Sequence, residues 1–114
     1  MGRGTKLGEF EELVLLAVAG LDGDGHGAAI HERILEATGR DVSIPSVYVT
    51  LSRLEKKGYL TAAVALGDED RGGRPRKVFA ITERAVADLR ASRLARDRLW
   101  AALDFDPLAS ESGS

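Results

Sequence analysis

With 114 residues, 44% of them hydrophobic and 30% charged, the chain has the size of one domain and too much apolar content for general disorder. The absence of cysteine excludes a disulfide scaffold, a thiolate zinc site and a cysteine nucleophile, and it fits a cytoplasmic protein. The formal net charge of -2 hides an uneven spread, since residues 1–39 sum to -4, residues 40–84 to +3 and residues 85–114 to -1, so a polyanionic partner would have to meet the middle of the chain.

The first predicted element is a helix over Glu9 to Gly20. Phe10, Leu13, Val14 and Ala17 share one face, and Leu15, Leu16 and Val18 make it apolar almost all round, as suits a helix buried on several sides. A glycine-rich turn, Gly20 to Gly27, separates it from a second helix that ends near Thr38, with Asp24 as expected N-cap, Gly39 as C-terminal stop, and Ile30, Ile34 and Ala37 turned inward. Ser43 is expected to cap a third helix with Pro45 in its first turn and Gly58 after its end. The helical period puts Ile44, Val47, Leu51 and Leu54 on its core side, and Ser46, Val49, Ser52, Arg53 and Lys56 on the opposite side. Tyr48 falls between the two.

Tyr59 to Leu66 and Lys77 to Ile81 read as two strands joined by a loop whose end, RGGRPRK over residues 71–77, holds four cations and no anion. Thr82 is expected to cap a fourth helix carrying a stripe of Ala85, Val86, Leu89, Leu99, Trp100 and Leu103, interrupted by Ser92, Arg93 and Arg96. Such a stripe either caps its own domain or pairs with a second copy. Residues 104–114, with Pro107 and small polar groups, read as a frayed tail.

Several motifs fail on their chemistry. His31-Glu32 lacks the second histidine of a zinc protease, and the acidic loop from Asp22 has Arg33 where a calcium loop needs a glutamate. No convergent set of acid, base and nucleophile is present, so no enzyme activity and no cofactor or metal is expected. Leu13 to Leu21 is too short to span a membrane, and Glu9, Glu11 and Glu12 stand where a secretory signal needs positive charge.

Three helices, a hairpin and a final helix, with the positive charge shared by the third helix and the hairpin tip, describe an α+β, mostly helical winged helix-turn-helix. In that arrangement the third helix enters the major groove, and the wing follows a phosphate backbone or a minor groove. Taken singly, each cation is an ordinary solvated charge. Their clustering on one helix face and one loop makes contact with double-stranded DNA the better reading.

The chain also resembles the PadR-like family of transcriptional regulators. The resemblance covers Leu7 to Leu103 and rests on LGEFEELVLLAV, on IHERILEATGRDVSIPSVYVTLSRLEKKGYL and on GGRPRKVFAITERA. His26 and Ala85 depart from it, standing where relatives often carry Tyr and Gly. The resemblance implies that Tyr48 contacts phosphate through its hydroxyl, that the fourth helix forms a homodimer, and that regulation is repression.

The expected organisation is therefore a DNA-binding domain over residues 1–82, a dimerisation helix over 83–103 and a flexible tail over 104–114. Ser46 and Arg53 are the candidates for base edges. Tyr48, Thr50, Lys56, Arg74, Arg76 and Lys77 are candidates for phosphate or the minor groove, and Val49 shares the exposed face. Leu89, Arg93, Arg96, Leu99, Trp100 and Leu103 are the candidate dimer interface, where Arg93 and Arg96 would bridge to a partner or lie at its edge. A planar aromatic effector stacked on Trp100 is kept as a further reading. The rival from another class is a winged-helix protein-interaction module that binds no DNA, which the acidic net charge keeps open.

Overall fold

Helix α1 (Glu9–Leu21), helix α2 (Gly27–Thr38), helix α3 (Ile44–Lys56), strand β1 (Leu60–Ala65), strand β2 (Arg76–Ile81) and helix α4 (Glu83–Ala101) follow one another along the chain. The structure, a computed structural model, describes residues 7–66 and 75–103.

The helix ends obey local rules. At the start of α1 the Gly8 N–H donates to Glu11 Oε1 at 2.9 Å, so an acid in the first turn satisfies a backbone donor that the helix leaves free. α2 ends on Gly39, whose φ of 73° is the left-handed conformation that glycine adopts without penalty, and its N–H returns to Leu35 O at 2.8 Å. α3 begins with the expected cap, Ser43 Oγ accepting from the Ser46 N–H at 3.2 Å, with Pro45 in the first turn. At α4 the Thr82 Oγ accepts from the Ala85 N–H at 3.3 Å while its hydroxyl donates to Gly58 O at 2.8 Å, so one side chain both caps the helix and ties it to the end of α3.

Asp24 does not cap α2. The chain first makes an isolated bridge in which the Phe79 N–H donates to Gly25 O at 2.8 Å, so the turn is drawn against β2 and the helix starts only at Gly27, with His26 as its uncapped boundary. β1 and β2 pair antiparallel from Leu60 opposite Ile81 to Ala65 opposite Arg76. The Gly25 bridge thus extends the hairpin by one contact on its β2 edge.

The core gathers Val14, Leu15 and Val18 of α1, Ile30 and Ile34 of α2, Val47, Leu51 and Leu54 of α3, and Tyr59, Leu60, Phe79 and Ala85. Each large aliphatic fully buried there contributes about 1.5–3 kcal/mol. Three positions expected inside are not. Ile44 is 41% exposed, and Leu16 and Ala37 also face out. Ile44 is the first residue of α3, while Leu16 and Ala37 line open clefts beside α1 that the neighbouring helices approach without filling.

The turn between α2 and α3 is held by His31, the histidine of the failed zinc motif. His31 Nε2 lies 2.6 Å from Val42 O, so that nitrogen carries the proton and donates it, and Asp41 is 3.8 Å away. The described residues form three helices and a two-stranded wing in the winged helix-turn-helix arrangement, followed by α4.

Candidate nucleic-acid interface

The outward side of α3 is set by its inward side. Val47, Leu51 and Leu54 are buried at three- and four-residue spacing, which leaves Tyr48, Val49, Ser52, Arg53 and Lys56 facing out. With Lys57 they line a shallow groove of about 610 Å³. Val49, 57% exposed, lines it together with the hydroxyl-bearing and cationic residues.

The cations of this face differ in what they already hold. Arg53 and Lys56 make no ion pair or hydrogen bond through their side chains among the described residues. Lys57 Nζ instead lies 2.9 Å from Glu11 Oε2. Burial pushes the Glu11 carboxyl up, but the Gly8 N–H, the Lys57 ammonium and the Arg53 guanidinium outweigh it and hold its pKa below the ordinary value. Lys57 is thus partly spent in fastening α3 to α1, whereas Arg53 acts on Glu11 only through its charge and, like Lys56, makes no direct ion pair among the described residues.

Two other candidates need restating. Thr50 is 5% exposed, because it lies three residues after Val47 and four before Leu54 and therefore on the core side, so its expected phosphate contact is withdrawn. Ser46 is half-buried and its Oγ donates to Ser43 O at 2.8 Å, leaving its lone pairs rather than its proton for an incoming donor.

At the wing, Arg76 Nη2 is 3.5 Å from Asp24 Oδ1, and Lys77 Nζ is 3.3 Å from Glu55 Oε1 and 5.5 Å from the centre of the Phe79 ring. Both cations are well exposed. Surface pairs of this kind contribute about 0–1 kcal/mol, so a phosphate can displace the carboxylate at small cost. Arg74 and the loop residues 67–74 lie outside the described residues, as do residues 1–6 and the tail over 104–114.

Tyr48 has a seat that the sequence reading missed. A Cβ placed on Gly27 would lie 2.7 Å from Tyr48 Cε1 and closer still to Cζ and Oη, so the ring leans on the backbone of α2 at the one residue type that admits it. The available signal was a glycine at the first position of a helix where almost any residue would serve.

The second surface lies on α4. Ala85 is buried and Leu89 half-buried, but Leu99 is 72% and Trp100 54% exposed, with Leu103 and Leu94 also open. The stripe therefore divides, its first turns covering their own domain and its last turns left largely uncovered by the described residues. A groove of about 500 Å³ runs between α1 and α4 with Leu16, Leu89 and Trp100 on its walls. Of the two arginines in the stripe, Arg93 lies 3.9 Å from Asp97 one turn on, and Arg96 donates to Glu12 Oε1 of α1 at 2.9 Å. Arg96 thus has an acid within its own chain. Ser92 and Arg96, which break the stripe four residues apart, were the sequence signal for this buried acid.

Among the described residues no helix is long and apolar enough to cross a membrane, and no cluster of three or more His, Cys, Asp or Glu side chains is placed to hold a metal ion.

Comparison with known proteins agrees with this geometry. The family profile described as Transcriptional regulator PadR-like family matches residues 15–91. Among solved structures, the PadR-like transcriptional regulator from Bacillus cereus superposes with a TM-score of 0.67 at 17% identity, over 81% of this chain and 84% of that one. The PadR family transcriptional regulator from Eggerthella lenta gives 0.62 at 23% identity, over 85% and 83%. A Streptococcus transcriptional regulator gives 0.65 at 21% identity, over 79% and 83%. These three likenesses are to the fold. No curated protein matches the sequence.

Proposed function

Because the chain belongs to the PadR-like family of transcriptional regulators, a family of regulators and not of enzymes, we propose that it is a homodimeric, sequence-specific DNA-binding repressor. It binds an inverted-repeat operator with one α3 helix in each half-site. The observation that carries this reading is the outward face of α3, where Arg53 and Lys56 make no direct ion pair or hydrogen bond among the described residues and stand beside Tyr48, Val49 and Ser52.

In this reading Arg53 and Ser46 meet base edges, Arg53 through the bidentate geometry that suits guanine, while Val49 lies against the groove floor. Tyr48, Lys56, Arg76, Lys77 and Arg74 take phosphate or the minor groove and set the register. Residues 1–82 form the DNA-binding part and 83–103 the dimerisation helix, with Leu89, Arg93, Arg96, Leu99, Trp100 and Leu103 at the interface. The exposed apolar end of α4 supports this, since a second copy would remove it from water. A planar aromatic effector beside Trp100 belongs to the same reading, and quenching of the single tryptophan by such compounds is its check.

The deciding experiment is selection of duplexes from a random-sequence pool by the purified protein at moderate salt. Enrichment of an inverted repeat with half-sites about one helical turn apart is the expected result. A folded dimer that enriches nothing, and whose weak DNA association is insensitive to salt, would replace this reading with that of a protein-interaction module.

A further inference from the structure

Past Leu89, α4 has little to hold its direction. Ala85 is its one buried residue, and the apolar groups of its second half are exposed. Its base is well tied. The Thr82 hydroxyl donates to Gly58 O, Arg84 Nη1 donates to Lys57 O at 2.9 Å, and Tyr59 Oη donates to Asp88 Oδ2 at 2.7 Å. These anchors all lie in the first two turns and fix a pivot rather than a heading.

Beyond the pivot, the side-chain hydrogen bonds that join α4 to the rest of the described chain come from one group. Glu12 Oε2 accepts from Ser92 Oγ at 2.8 Å and Glu12 Oε1 accepts from Arg96 Nη1 at 2.9 Å. Ser92 and Arg96 are one helical turn apart and share a face, so a carboxylate holding both resists tilt of α4 and rotation about its axis. The Glu12 side chain is 11% exposed, and Val14 and Leu15 beside it on α1 are fully buried, so the clamp stands on a rigid base.

We propose that Glu12 is a positioning residue that sets the heading of α4 relative to the DNA-reading head. The clamp itself is a property of the single chain. Its consequence for DNA rests on the dimeric reading above, because the angle between head and dimerisation helix fixes the separation of the two α3 helices. The lever is long. At 1.5 Å per residue the part of α4 beyond Asp88 measures about 20 Å, so a tilt of about 10° moves its tip by about 3.4 Å. That is about one step between successive base pairs, roughly 3.4 Å. Loss of the clamp should therefore blur which half-site spacing the protein prefers.

The chain has no cysteine, so spin labels can be placed at Glu36→Cys on α2 and Arg98→Cys on α4, both exposed. Labelled protein is diluted into unlabelled protein and the intramolecular distance is read by pulsed dipolar spectroscopy. The expected result is a narrow distribution in the parent, a broadened or shifted one in Glu12→Ala, and recovery in Glu12→Gln, whose amide can still bond both partners. The paired variant Ser92→Ala with Arg96→Ala changes only α4 and should reproduce the broadening, which covers the case where Glu12→Ala fails to fold.

In parallel, affinity is measured on selected duplexes with the half-site spacing changed by one and two base pairs. The parent should prefer one spacing by about tenfold or more, and the clampless variant should fall to less than about threefold. An unchanged label distance in the clampless variants overturns the proposal. A broadened distance with the spacing preference intact overturns its consequence for the operator. If the parent binds no duplex, the DNA reading fails by itself and the label distance still decides the clamp.

Discussion

Substituting Gly27 by Ala tests the seat of Tyr48 with a single methyl group. The new Cβ would meet Tyr48 Cε1 at 2.7 Å and approach Cζ and Oη more closely, so the ring must move by about 1 Å or more to reach ordinary contact distance. It has somewhere to go, being 48% exposed at the edge of the groove. An off-rotamer ring costs about 0.5–1.5 kcal/mol, while Ala in place of Gly in a helix returns up to about 1 kcal/mol. The two nearly cancel, and the urea midpoint should shift by less than about 1 kcal/mol equivalent. DNA affinity should not escape. On the proposed phosphate contact of Tyr48, the displaced hydroxyl would lose one hydrogen bond, about 0.5–1.5 kcal/mol net, or twofold to about tenfold in Kd on the selected duplex. Fluorescence anisotropy beside urea melts reads both quantities, with Tyr48→Phe as reference. Because both substitutions remove the same contact, the double variant should lose no more than the larger single loss. Full affinity in Gly27→Ala, or additive losses in the double variant, would refute the argument that Gly27 acts through Tyr48.

Arg53→Ala should cost about 1–3 kcal/mol on the selected operator and relax its sequence preference, whereas Lys56→Ala should weaken all duplexes alike and reduce the salt slope by about one; equal losses for Arg53→Ala on operator and random DNA would contradict this assignment. Tyr59→Phe removes a bond to a charged acceptor and should destabilise by about 1.5 kcal/mol near neutrality, because half-buried Asp88 can rehydrate. Burial, together with the bond to Asp88 and its charge, raises the Tyr59 pKa in the folded state. Its stabilising contribution is therefore complete below the unfolded value of about 10 and lost as pH rises through the folded one, so the gap between parent and variant in urea melts should narrow at alkaline pH. Glu11 is the opposite case, its folded pKa lying below the ordinary value. Glu11→Gln should cost about 1 kcal/mol at neutral pH, and that cost should disappear as acidification carries the parent past the ordinary carboxylate value and down through the lower folded pKa.

Much of this fold is written in single residues that act on their neighbours. Ser43 and Thr82 as caps, Pro45 in a first turn, and Gly39 and Gly58 at left-handed positions each answer a backbone requirement within four residues of themselves, and the structure has them as the sequence reading does. The outward face of α3 was legible for a related reason. A helix with Val47, Leu51 and Leu54 inside has its opposite side decided by geometry, which brought Arg53, Lys56 and Val49 together without knowledge of what packs behind them. The same rule should have kept Thr50 off that face.

The remainder depended on partners far along the chain. Periodicity names a face but not how much of it a neighbour covers, so Leu16, Ala37 and Ile44 were expected inside and lie outside. Glu11 and Glu12 look like the solvated acidic first turn of a helix, yet both are buried, one against Lys57 and the other against Ser92 and Arg96 some eighty residues later. The contact of Tyr48 with Gly27 and the bridge from Gly25 to Phe79 are likewise meetings of separate elements. Composition, caps and helical period determined which elements form and which face of α3 is free, because those are settled by interactions within one or two turns. Which charges remain available on that face, and in what direction α4 leaves the head, were decided only when the packed elements brought distant carboxylates against particular cations and hydroxyls.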